Sequence, residues 1–124
     1  MFARLLIAVG ATLSLSACVF HIAPDDWDDT NTHKSVRAEE RDARKYIAAL
    51  ELGVAPATVI SELGAPEFSD RLTTKDGEVR VLRYRTHRAH ADGETTRDET
   101  TPLVFLNDKL IGSGELALQQ ITGR

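Results

Sequence analysis

Between residues 50 and 68 the chain reads Leu-Glu-Leu-Gly-Val-Ala-Pro-Ala-Thr-Val-Ile-Ser-Glu-Leu-Gly-Ala-Pro-Glu-Phe, a short apolar segment fenced on both sides by glycine and proline. Gly53 leaves the right-handed region without steric penalty and so breaks any preceding helix. Pro56 suits the first helical position, where an N–H would have no partner anyway. Val59, Ile60 and Leu63 recur at helical spacing, and Gly64 followed by Pro66 ends the run. A helix of about two turns is not stable alone, because nucleation is costly. The segment therefore has to dock, and the strand-like stretches that follow it offer the surface.

Before it, residues 35–50 read as a second helix. Val36, Ala43, Ile47 and Leu50 form one apolar stripe with Tyr46 beside it, and Arg37, Glu40, Arg41, Arg44 and Lys45 make the wet face, with Glu40 and Arg44 as a favourable four-residue pair. After it, residues 67–74 read as a strand, and Lys75-Asp76-Gly77-Glu78 as a hairpin turn in which Asp-Gly tolerates positive φ. Residues 79–88 form the next strand, with Leu82, Tyr84 and Thr86 on one face and Val79, Val81, Arg83 and Arg85 on the other. A polar loop over 89–100 leads to a third strand over 101–107. That strand is apolar on both sides, through Leu103 and Phe105 on one and Val104 and Leu106 on the other. Residues 110–112 pair briefly, and 115–121 add a last helical turn or two. Helix, helix and then an antiparallel meander is a two-layer α+β domain, two N-terminal helices packed on a three-stranded sheet.

Two short helices cover one sheet face, and the other is left either to water or to the C-terminal segment. If open, Val79, Val81 and Val104 beside Arg83 and Arg85 form an apolar stripe rimmed with arginine, a partner-binding surface.

Residues 1–17 are a processing segment: Arg4 supplies a positive start, and the apolar run over 5–15 is shorter than the roughly 20 residues needed to span a bilayer. It ends in Leu15-Ser16-Ala17-Cys18, which resembles the lipobox of bacterial lipoproteins. The resemblance implies cleavage before Cys18 and acylation of its sulfur and new amino group. Each buried methylene contributes about 0.8 kcal/mol, so more than one chain anchors stably where one binds marginally. In such lipoproteins an aspartate after the cysteine commonly retains the protein in the inner membrane. Val19 stands there instead, so the resemblance implies the outer membrane, with the domain on the periplasmic side. With Cys18 acylated no thiol remains for a disulfide or a metal.

Removal of residues 1–17 leaves 107 of the 124, enough for one small domain. It also removes Arg4 and no other charged residue, moving the net charge from −4 to −5. Such a chain has no general attraction for nucleic acid or anionic lipid. Residues 18–34 read as a tether, in which Asp25-Asp26-Trp27-Asp28-Asp29 sets one aromatic among mutually repelling carboxylates. This run lacks the glycine turn and distal glutamate of a calcium loop, and is a solvated spacer rather than a metal site. The folded domain is then 35–124.

Leu52-Gly53-Val54-Ala55-Pro56-Ala57-Thr58-Val59 followed by Leu63-Gly64-Ala65-Pro66 resembles the BamE/SmpA superfamily of small outer-membrane lipoproteins. Ala55 stands where that pattern usually has a threonine or serine cap, whose loss costs about 1 kcal/mol. Trp27-Asp28-Asp29, Val81-Leu82-Arg83-Tyr84-Arg85-Thr86, Asp92-Gly93-Glu94-Thr95-Thr96, Asp98-Glu99 and Thr101-Pro102-Leu103-Val104-Phe105 look more closely like a related family of uncharacterised lipoproteins. Thr100 and Ser113 depart from that family's pattern, where cysteine and tryptophan are expected. The resemblance implies the fold, and an accessory role of the kind BamE-type subunits play in outer-membrane β-barrel assembly.

Residues with chemistry are sparse. His87, His90 and Asp92 cross from a strand end into a loop, and Arg88 between the histidines disfavours a cation. Gly-x-Ser-x-Gly, a free thiol and a glycine-rich phosphate loop are all missing, and Glu94, Asp98 and Glu99 lie in a polar loop expected to leave their acidity ordinary. The reading is of a protein with no catalytic residues, metal or cofactor. It binds an envelope protein, or alternatively peptidoglycan or anionic lipid through Arg80, Arg83, Arg85 and Arg88.

Overall fold

The computed structural model describes residues 29–123, and side-chain surroundings from residue 35 onward. Cys18, Trp27, the processing segment and most of the tether lie outside the described residues. In chain order the elements are α1 (Asp29–Ala49), α2 (Pro56–Leu63), β1 (Phe68–Thr74), β2 (Gly77–Arg85), a 3₁₀ turn (Arg97–Glu99), β3 (Thr100–Leu106), β4 (Lys109–Ser113) and α3 (Glu115–Thr122). The four strands form one antiparallel sheet in sequence order. The class is α+β as expected, but with three helices and four strands instead of two and three. α1 also starts at Asp29, six residues before the expected domain boundary.

The punctuation around α2 behaves as its chemistry requires. Gly53 and Gly64 take φ of 91° and 78°, Pro56 opens the helix, and Ala55 provides no side-chain cap. The segment is seated at both ends. Gly53 N–H donates to the Leu110 carbonyl (2.8 Å), and Leu110 N–H donates back to Val54 (2.9 Å). Residues 53 and 54 thus cover part of the outer edge of β4, an edge that would otherwise offer unpaired peptide groups. At the other end the Tyr84 hydroxyl donates to the Gly64 carbonyl (2.9 Å). Burial pushes the Tyr84 phenol up, which keeps it a donor.

Strand alternation divides the core in two. Leu82, Tyr84, Leu103, Phe105 and Leu110 pack against Ile47 of α1 and Val59 of α2. On the opposite face Val79, Val81 and Val104 pack against Ile121, with Ala117 and Leu118 beside it. The second face is therefore covered, and the layers number three. The expected open stripe is corrected accordingly: Val79 and Val104 are fully buried and Val81 is nearly so. The cover is α3, whose residues 117, 118 and 121 turn inward while Leu116 stays in solvent.

α3 approaches the sheet closely where Gly112 lies beneath it. A β-carbon placed there would stand 2.8 Å from that of Ala117. Gly112→Ala is expected to lift α3 and cost about 1–3 kcal/mol through overpacking, seen as a lowered urea midpoint.

Candidate functional site

Two features lie where α1 crosses the end of β2: a buried cluster of charges and an open cleft. The first begins with Glu40. It was expected on the wet face of α1, yet it falls four residues after Val36 and three before Ala43, on the inward stripe, and is buried. Its carboxylate accepts from Arg85 Nε at 2.8 Å instead of pairing with Arg44. Arg44 donates to the Thr86 carbonyl. Arg85 also donates to Thr95 Oγ1 (2.9 Å) and comes within 4.0 Å of Glu99.

Glu99 is fully buried, which corrects the expectation of an ordinary loop carboxylate. Its Oε1 accepts from the Ala89 and His90 N–H groups, both at 2.8 Å, and its Oε2 from Thr96 N–H at 3.3 Å. The last contact completes a capping box with Thr96 on the 3₁₀ turn. The backbone N–H of His90, then those of Ala89 and Thr96 and the Arg85 charge, hold the acid below its usual value against the cost of burial. An ionised carboxylate so enclosed ties residues 89, 90 and 96 together and holds the loop closed. Its acidity is moved away from the range useful for proton transfer at neutral pH.

The remaining site expectations resolve one by one. Arg83 is buried and its guanidinium grips Glu115 of α3 (2.8 and 3.5 Å), so it fastens the helix that covers the valines. Arg85 is committed to Glu40. The arginine-rich sheet face is thus not an open anion surface. Arg80 is half-buried, and Arg88 donates to the His90 carbonyl in its own loop. His90 meets Asp98 (3.1 Å) rather than Asp92, and His87 meets the Thr86 hydroxyl (3.0 Å). Among the described residues no three carboxylate, imidazole or thiol groups come together to hold a metal ion. Thr100, standing where a cysteine was expected, is buried, and its hydroxyl donates to the Arg97 carbonyl (2.7 Å).

The second feature is a cleft of about 330 Å³ between α1, the C-terminal end of α2 and the end of β2. Val36, Ala43, Leu63 and Tyr84 give it an apolar lining, and Glu39, Glu62 and Glu67 stand exposed around them. Glu62 lies near enough to Tyr46 to add to the effect of burial in pushing that phenol up. Sequence reasoning placed Val36, Ala43, Leu63 and Tyr84 on apolar faces but gave the three glutamates no role, because they come from α1, α2 and the segment before β1.

The chain matches the family described as "Protein of unknown function (DUF3192)" over residues 16–120, and it belongs to that family. The match spans both the charge cluster and the cleft. No curated protein and no solved structure matches significantly. Among the described residues no helix is long and apolar enough to cross a membrane.

Proposed function

We propose that this DUF3192 member is a non-catalytic lipoprotein, acylated at Cys18 and anchored on the periplasmic face of the outer membrane. In this reading the folded domain binds an envelope protein in a role akin to that of BamE/SmpA-type accessory subunits. The observation that carries the reading is the cleft beside α1, with an apolar lining inside a rim of exposed carboxylates. Exposed apolar surface framed by polar groups is the usual make-up of a protein-binding patch. The order of two helices followed by an antiparallel meander, and the Leu63-Gly64-Ala65-Pro66 stop, support kinship with the BamE/SmpA plan. The lipobox-like Leu15-Ser16-Ala17-Cys18 supports the anchor.

The test is photo-cross-linking from position 65, at the cleft, in gently solubilised outer membranes. One protein recovered in fixed stoichiometry is the expected result, and recovery of peptidoglycan or lipid alone would overturn the reading. In parallel, Cys18→Ala is expected to move the protein from the membrane fraction to the soluble fraction and to abolish labelling by a fatty-acid analogue. Retention of both would overturn the anchor.

A further inference from the structure

We infer that the cleft receives a basic, partly aliphatic segment of the partner, with a lysine or arginine as its anchoring side chain; this rests on the reading of the domain as a protein-binding module. The charges of the site are unbalanced in one direction. Among the described residues the side-chain carboxylates of Glu39, Glu62 and Glu67 make no ion pair or hydrogen bond. The single cation in the lining, Arg85, is already held by Glu40 at 2.8 Å.

Glu62 adds a second anomaly. It lies in the last turn of α2, where the peptide dipoles already present negative charge, and no basic residue offsets it there. A carboxylate in that place works against the helix in the free protein, and a cation brought to the cleft relieves it.

The apolar lining selects among cations. A hydrated metal ion gains nothing from Val36, Leu63 and Tyr84, whereas a long basic side chain lays its methylenes on such a surface and extends its charged head to the carboxylates. The size agrees: about 330 Å³ admits one or two side chains and not a folded domain. A polyanionic partner is repelled by the same rim.

The probe is an amidated peptide alternating lysine and leucine, titrated by fluorescence anisotropy into the full chain held in neutral detergent. An alternating glutamate–leucine peptide and a lysine–serine peptide serve as controls. Tighter binding of the lysine–leucine peptide than of either control is expected. It should weaken at least tenfold in the Glu39→Gln, Glu62→Gln, Glu67→Gln triple variant, which replaces exposed groups and is expected to melt no lower than the wild type. Equal binding to wild type and variant would overturn the inference, as would equal binding of the lysine–serine control or displacement of the peptide by micromolar calcium or magnesium. The cross-linking experiment separates the two levels. A partner captured equally well by the triple variant removes this inference and leaves the protein-binding reading standing. Capture of no protein by either chain removes that reading itself.

Discussion

Val104→Asp is expected to unfold the domain rather than leave it folded without a partner. Val104 is fully buried, paired in register with Val81 and packed with Ile121 of α3. The basic group on that face, Arg83, is already committed to Glu115. A carboxylate forced into this layer has neither water nor a counter-ion, and the penalty for an uncompensated buried charge is about 3–5 kcal/mol. Small domains have on the order of 5–15 kcal/mol in total. Circular dichroism against urea should therefore show a transition moved to much lower denaturant or lost. A melting curve like that of the wild type, with only a binding partner lost, would mean that α3 does not cover the face.

Glu99→Gln carries the next largest effect, and it has a pH signature. The amide keeps the size of the side chain, but it cannot accept from Thr96 N–H with the end that now carries hydrogens, and it offers no charge to Arg85. Buried N–H groups of the loop lose an acceptor, and a fall in melting temperature on the order of 10 °C is expected. Hydrogen exchange should accelerate first at residues 89, 90 and 96. Because the folded protein holds Glu99 below the ordinary glutamate value of 4.5, its contribution is fully present above that value. It is lost as pH falls through the lowered one. The wild type should therefore weaken on acidification, and the variant should show a shallower acid limb. Part of that limb will remain, since Asp70 is held low by Arg97 and Asp98 by Thr96. An acid limb of unchanged slope would show that Glu99 is not the anion that closes the loop.

What could be read from the chain follows from how far apart the cooperating residues lie. α2 is bounded by its own glycines and prolines, and the hairpins by alternation and turn residues, so both are visible within a dozen positions. α3 is harder. Its apolar residues 116, 117, 118 and 121 do not mark a single face, and only packing shows that 116 is the one turned out. Glu40 has the spacing of a core residue and the chemistry of a surface one. Its inward position becomes intelligible once Arg85, 45 residues away, is seen to meet it. The Thr96–Glu99 capping box has a recognisable spacing. The burial of Glu99 does not, since it depends on residues 85, 89 and 90 folding back around it. The cleft has no local signature at all, because its glutamates belong to three different elements.

The bonds between residues 53–54 and Leu110 also set the order in which the molecule can assemble. They join positions 57 and 56 apart, and contacts that distant form late because the intervening chain must first be brought together. A chain emerging from its N-terminal end therefore has the helix-forming segment of α2 long before it has the strand that seats it. Until position 110 is available, Val59 and Leu63 have only part of their docking surface, and a nascent chain stalled short of that point is expected to be a target for chaperones and proteases. The last fifteen residues are thus as much a requirement for the first half of the domain as for the second.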